Sequence, residues 1–422
     1  MKKYYWWQSW SRLLLWSHVI GVIGFYLVIW LRTAPDKKDR ARTLPAKSPA
    51  AHTALAAASI SPASTDRDMQ HERVASTNPL VSIIVPARNE ERNIRRCVQS
   101  LLEQDYDNYE VIVVDDGSTD GTGRILDELA HSHPNGNRLW ILRLRDTLPG
   151  DWAGKPHAID SGVQEARGAW LLFTDADTWH ACNALRSAVT QAIEEDVDLF
   201  TMGSTQELPS FWDRVLMPMA YLGISMLYPP KQVNNPVSAV AVANGQFILI
   251  RRTVYDLIGG YARPELRGTL LDDRDLAHIV KGQGFKLHFV EGDGLVHVHM
   301  YHSLADIWRG WRKNAYLGNR GGLAFVLLQL FGLPMISIVP FLLPLYAKLV
   351  GTISKNEANA ATVLEMVPLL AYRFWLNRQL NVPWYYAFTH PLAGTVFTGI
   401  LGQSSWRVLS KRGVDWKGRN YV

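Results

Sequence analysis

Two carboxylates one residue apart, Asp175 and Asp177, close the short apolar run Leu171-Leu172-Phe173-Thr174. A strand that stops there delivers both acids to the carboxyl edge of a sheet, where open α/β sheets bind their ligands. Hard carboxylate oxygens suit Mg²⁺ or Mn²⁺, above all an ion that must also hold a diphosphate. The pattern therefore points to a metal-nucleotide site. Three further groups give the pair its meaning. Val114-Asp115-Asp116-Gly117-Ser118 ends another apolar run, Gly154-Lys155 precedes a helical stretch, and Leu271-Asp272-Asp273-Arg274-Asp275-Leu276 puts three acids at a helix start.

The elements needed to position these groups can be read in order. Leu80 to Pro86 and Glu110 to Val114 read as buried strands. Glu90 to Glu103 has Ile94, Val98, Leu101 and Leu102 at helical spacing. A helix around Arg124 to Ala130, a strand at Leu139 to Leu144, a helix over Pro156 to Ala166 and the Asp175 strand follow. Alternation of this kind predicts a mostly parallel sheet with right-handed crossovers, which sets both acidic turns on one edge. Asn244 to Ile250 reads as a further strand and Asp272 to Lys281 as a helix. Phe211 to Tyr228 is bulky and apolar, and reads either as a helix on a membrane face or as ordinary core.

Hydropathy divides the 422 residues into five parts. Residues 1–32 hold an uncharged apolar run from Leu13 to Leu31, long enough to cross a bilayer and too long for a signal peptide. Residues 33–79 are rich in Ala, Pro, Ser and Thr and read as a disordered tether. Residues 80–320 hold the motifs. Residues 321–405 carry the apolar stretches Leu323 to Tyr346, Ala360 to Trp375 and Trp384 to Gly402, the middle one interrupted by Glu365 and Arg373. They predict two or three spans. The tail 406–422 is basic and prefers the cytoplasm, which favours two crossings after a cytoplasmic catalytic domain. The expected location is the cell membrane, with several crossings.

The net charge of +5 does not indicate nucleic acid. Six cations lie between Arg32 and Lys47 and five between Arg407 and Arg419, where cations read as topology signals and contacts with anionic lipid. The two cysteines, Cys97 and Cys182, are too few for a disulfide framework.

Val85-Pro86-Ala87-Arg88-Asn89-Glu90, Val114 to Ser118, Gly154-Lys155, Phe173 to Asp177 and Leu271 to Leu276 follow one another in an order that resembles the family 2 glycosyltransferases of GT-A fold. Asp151-Trp152-Ala153-Gly154-Lys155, Met300-Tyr301-His302-Ser303-Leu304, Trp311-Arg312-Lys313-Asn314 and Trp416 to Tyr421 resemble the membrane-anchored branch that glycosylates carotenoids and hopanoid-type lipids. The resemblance implies that Pro86, Glu90 and Asp116 contact the nucleotide, that Lys155 lies near the diphosphate, and that Asp175 binds the donor. It also implies that Asp175 and Asp177 hold Mg²⁺ or Mn²⁺. It assigns the base of an inverting displacement to Asp273, with Asp272 and Asp275 as alternatives, and the helix dipole there favours an ionised carboxylate. The implied partners are a nucleotide-sugar donor, a UDP-sugar by the family's leaning, and an apolar lipid acceptor. The Gln-x-x-Arg-Trp motif of processive members is missing, which argues for transfer of one sugar. Arg309, Arg312 and Lys313 read as diphosphate contacts or as juxtamembrane cations, and His297 or His299 is a candidate for the metal shell. A glycan synthase and an inactive nucleotide-sugar-binding scaffold are the alternative readings, and the oligomeric state stays open.

Overall fold

The computed structural model describes residues 2–33, 78–145, 148–292, 294–317, 322–350, 353–410, 414–416 and 419–421. The tether expected over 33–79 lies almost wholly outside them. The chain divides into two compact units. One comprises Asp36–Glu207 and Pro230–Met300, the other Met1–Pro35, Leu208–Pro229 and Tyr301–Val422.

The first of these is built on a seven-stranded sheet. Its strands are β1 (Val81–Ala87), β2 (Tyr109–Asp115), β3 (Leu139–Arg143), β4 (Trp170–Phe173), β6 (Leu199–Gly203), β8 (Ile248–Arg251) and β9 (Leu287–Glu291), in spatial order β3-β2-β1-β4-β8-β6-β9. All neighbours are parallel except β8, which runs antiparallel to β4 and to β6. β1, β2 and β4 are apolar almost without a break because both faces of the sheet are covered. Helix α2 (Ile94–Leu102) buries Ile94, Cys97, Val98, Leu101 and Leu102, and α3 (Thr122–Ser132) buries Ile125, Leu126 and Leu129, in one core with Ile83, Val85, Val111 and Val113.

Helix α4 (Gly154–Glu165) meets the alternate side chains of β1 and β2 at Gly162. A Cβ at Gly162 would stand 2.7 Å from Ile84 Cγ2 and 2.9 Å from Val114 Cγ2, so only glycine lets the helix lie this close to the sheet. Gly162→Ala should lower stability by about 1–3 kcal/mol through overpacking, measurable as a shift in denaturant midpoint.

Register decides where the acids fall. Ile84 pairs with Phe173 and Ala87 with Asp115, so β4 ends three residues short of the end of β1. Thr174 to Asp177 therefore turn off beside the last residues of β1. Strand β5 (Thr178–His180) follows at once, and pairs with β10 (Val296–Val298), which pairs in turn with β7 (Thr205–Gln206). This second, three-stranded sheet anchors the chain just after Asp177. Helices α5 (Ala184–Glu194) and α7 (Asp272–Gly282) complete the unit's larger elements.

The other unit is helical: α1 (Lys2–Thr33), α6 (Phe211–Leu227), α8 (Leu304–Leu317), α9 (Gly322–Ser337), α10 (Val339–Val350), α11 (Lys355–Gln379) and α12 (His390–Leu409). Among the described residues one helix, over Ser9–Thr33, is by itself long and apolar enough to cross a bilayer. The stretch expected as one span from Leu323 to Tyr346 is two helices, α9 and α10, bent by 69° at a run carrying Pro334, Pro340 and Pro344. Helix α11 keeps Glu365 and Arg373 inside the unit. Glu365 accepts a hydrogen bond from the His18 ring at 2.7 Å, and Arg373 donates to the Val215 carbonyl at 2.9 Å. Helix α6 starts with a capping box in which Ser210 and Asp213 bond each other's backbone, and buries Val215, Leu216, Met217, Met219, Ala220 and Leu222. Phe211, Ile224 and Leu227 on the same helix stay exposed, so both readings of this stretch keep some of its side chains. In α8, Arg309 pairs with Asp306 at 2.6 Å.

Candidate active site

The first corner of the site lies where β1 and β2 end. Pro86 faces Val114 in register, and the Asp116 N–H donates to the Ala87 carbonyl at 2.9 Å. Arg88 donates to the Asp116 carbonyl and lies 3.9 Å from its carboxylate. The Glu90 N–H donates to Thr122 Oγ1 at 2.8 Å, while Glu90 Oε2 accepts from Asn93 at 3.0 Å. Asp115 turns inward and accepts the Ser118 N–H at 2.9 Å, closing a turn that Gly117 enters with φ +66°. Three of the expected nucleotide contacts, Pro86, Glu90 and Asp116, thus line one stretch of sheet edge.

The second corner gathers residues far apart in sequence. Thr174 is buried and bonds the Gln246 carbonyl at 2.8 Å, and Thr178 Oγ1 bonds the Asp175 carbonyl at 2.7 Å, fixing the turn that carries Asp175 and Asp177. Lys155, in the first turn of α4, places its ammonium 2.8 Å from Asp175 Oδ1 and 3.3 Å from Asp272 Oδ2. Asp273, the second residue of α7, accepts the Arg274 N–H at 2.7 Å through one oxygen and the Gly245 N–H at 3.1 Å through the other. Gly245 is itself held by its neighbour: the Asn244 N–H donates to Thr201 and its side-chain amide to the Met202 carbonyl, both from β6. Asp275 does not join the cluster. It accepts from the Thr269 hydroxyl at 2.5 Å and from Arg274 at 2.8 Å.

Electrostatics follow from this crowding. Burial works against the Lys155 ammonium, yet Asp175, Asp272 and Asp273 together raise its pKa well above the usual lysine range. The Asp273 carboxyl is also raised, first by burial and then by the charge of Asp272, with Lys155 and two backbone N–H groups pulling the other way. A helix start alone favours the ionised acid, as sequence suggested. Here desolvation and a neighbouring carboxylate outweigh it.

The residues present fit a hard divalent ion. One ammonium faces three carboxylates, and Asp177 adds a fourth acid on the same turn as Asp175. Among the described residues no three His, Cys, Asp or Glu side chains form a ready-made cage. An ion of the Mg²⁺ type keeps water and takes phosphate oxygens beside one or two carboxylates. His297 is engaged elsewhere: its ring stacks on Trp179 at 3.8 Å and its Nε2 bonds the Gly294 carbonyl at 2.8 Å. Arg96 lies over the same Trp179 ring, 4.3 Å from its centroid.

Residues 82–259 match the family model described as Glycosyl transferase family 2. The chain carries a family 2 glycosyltransferase domain. A 4,4'-diaponeurosporenoate glycosyltransferase of Staphylococcus aureus (strain USA300) is 27% identical over 356 residues, covering 81% of this chain and 88% of the relative. Among solved structures, a mannosyltransferase from Pyrobaculum calidifontis in complex with GDP-Man and Mn²⁺ is 18% identical, covers 79% of this chain and 88% of its own, and has a TM-score of 0.46. Residues 1–349 of Staphylococcus aureus TarS are 17% identical, cover 78% and 91%, and have a TM-score of 0.37. The glycosyltransferase domain is α/β with a mostly parallel sheet, as the GT-A expectation required.

Sequence reasoning missed Gly245 in this domain, together with the joining of Lys155 to Asp272. A Cβ at Gly245 would lie 3.0 Å from Lys155 Nζ and 3.2 Å from Asp273 Oδ2. The glycine in Asn244-Gly245-Gln246, at the mouth of a strand, was the available signal, since such a glycine marks close approach of other groups. Gly245→Ala should push both charged groups aside and lower kcat by about tenfold or more while the fold survives, checked by steady-state kinetics beside circular dichroism.

Proposed function

We propose that the protein is a metal-dependent, inverting and non-processive glycosyltransferase. It moves one sugar from a nucleotide-sugar, a UDP-sugar in the leading version, to a hydroxyl of an apolar lipid at the cytoplasmic face of the cell membrane. The observation that carries this reading is the meeting of Lys155, Asp175, Asp272 and Asp273 around Gly245 at the sheet edge. Support for the apolar acceptor comes from the Ser9–Thr33 helix and from the relative's named acceptor, 4,4'-diaponeurosporenoate. The multi-pass part of the proposal takes the bent pair α9–α10 as one broken span.

In this mechanism Pro86, Glu90 and Asp116 frame the base and ribose, and Asp175 and Asp177 hold Mg²⁺ or Mn²⁺. When bound, that ion supplies Lewis-acid neutralisation of the charge growing on the departing diphosphate. Lys155 adds a second positive charge beside the same oxygens. Asp273 takes the proton of the acceptor hydroxyl as its oxygen attacks the anomeric carbon from the face opposite the diphosphate. Its two backbone N–H bonds fix the carboxylate's direction, so the base is aimed before the acceptor arrives. The experiment is product analysis. Nuclear magnetic resonance of the glycolipid formed from an α-linked donor should give a single β-linked sugar per acceptor. A retained α linkage or a ladder of sugars would defeat the inverting, one-sugar reading.

A further inference from the structure

Lys155 stands where a divalent ion on Asp175 would feel it most. Its ammonium lies 2.8 Å from Asp175 Oδ1. A dication of the Mg²⁺ type bonds a carboxylate oxygen at about 2.1 Å. An ion on that oxygen and the ammonium in its present place would be close neighbours of like charge, in partly buried surroundings that strengthen the repulsion. Both side chains are only 31% exposed, so water screens them little. The lysine also has somewhere to go. Asp272 Oδ2 is already 3.3 Å away, and the flexible stem of a lysine lets its ammonium change partner without moving the backbone. Gly245, whose missing side chain leaves room beside Nζ, keeps that path open.

We propose that Lys155 is a placeholder cation that ties Asp175 to Asp272 in the metal-free protein and is driven off Asp175 when an ion enters with a nucleotide diphosphate. The inference rests on the metal-nucleotide reading above and adds an order of dependence to it. A bare dication binds weakly because it must displace the ammonium. A dication arriving with a diphosphate binds well because the diphosphate receives the freed lysine. Metal and nucleotide are therefore coupled through one side chain, and the coupling is reciprocal.

The test titrates Mn²⁺ into the detergent-solubilised full chain, with and without UDP, and follows free Mn²⁺ by electron paramagnetic resonance. Lys155→Gln should bind bare Mn²⁺ about tenfold more tightly than wild type, the size expected for removing one nearby positive charge, and should show a smaller enhancement by UDP. Lys155→Arg, which keeps the charge, should bind bare Mn²⁺ no more tightly than wild type. Lys155→Ser repeats the neutral comparison where the glutamine variant does not fold. A neutral variant that binds bare Mn²⁺ no more tightly than wild type, while wild type binds Mn²⁺ with UDP, overturns the placeholder role alone. Wild type that takes up no Mn²⁺ even with UDP overturns the metal-nucleotide reading as well.

Discussion

Asp273→Asn is expected to keep donor binding and to lose transfer to a hydroxyl acceptor by about 10²–10⁴-fold, the range for a positioned general base. Asparagine is nearly isosteric, but Asp273 takes the Gly245 and Arg274 N–H groups on separate oxygens, so the one side-chain oxygen of asparagine keeps one of these two bonds and gives up the other. The larger loss is the capacity to take a proton. The pH profile adds a second, independent signature. Burial and Asp272 raise the Asp273 carboxyl above its ordinary value, and a base acts only in its ionised form. Activity should therefore fall as pH drops through that raised value, and the acid limb of kcat/KM should lie above the ordinary aspartate value of about 3.9. Asp272→Asn removes the second cause of the shift and should move the acid limb to lower pH. A carboxylate acceptor, which carries no proton at neutral pH, sharpens the comparison: an Asp273→Asn enzyme should be far less impaired toward it than toward an alcohol.

Asp175→Asn should be the other large effect, a loss of about 10³-fold in kcat/KM, the several kcal/mol that Lewis-acid assistance supplies. Its signature differs from that of Asp273→Asn. Asp175 is both the expected metal ligand and the strongest partner of Lys155, so the variant should lose metal-dependent UDP binding along with turnover. Titration of UDP with and without Mn²⁺ checks this. Loss of turnover with intact metal-dependent binding would move the ion away from Asp175.

The parts of this site that were legible in the sequence are those encoded locally. Trp170 to Phe173 is an uninterrupted apolar strand ended by acids, and parallel β-α alternation carries Asp116 and Asp175 to one edge whatever the details of packing. β1, β2, β3, β4 and β8 were readable for the same reason, with α2, α3, α4 and α7, whereas β6, β9 and α5 went unread. Contacts through space were not. Nothing in the run Asn244-Gly245-Gln246 announces that Lys155 and Asp273 close on it from two helices, because that meeting depends on antiparallel β8 being inserted between β4 and β6. The three-stranded sheet behind Asp177 escaped notice because β5, β7 and β10 hold three, two and three residues, too short for alternation to register. His297 was a candidate metal ligand by type and place, and only the fold reveals Trp179 lying flat against it. The bend between α9 and α10 is the opposite case. Three prolines in the stretch announced an interruption, but hydropathy alone joined the two helices into one span.

The most direct measurement is transfer of radiolabelled sugar from a panel of nucleotide donors into the organic-solvent extract of membranes holding the wild-type chain or Asp273→Asn, each with and without Mn²⁺. The account predicts label in the solvent phase that requires both the ion and Asp273, from one donor of the panel. Label confined to aqueous polymer, or solvent-phase label indifferent to Asp273 and to the ion, would contradict it.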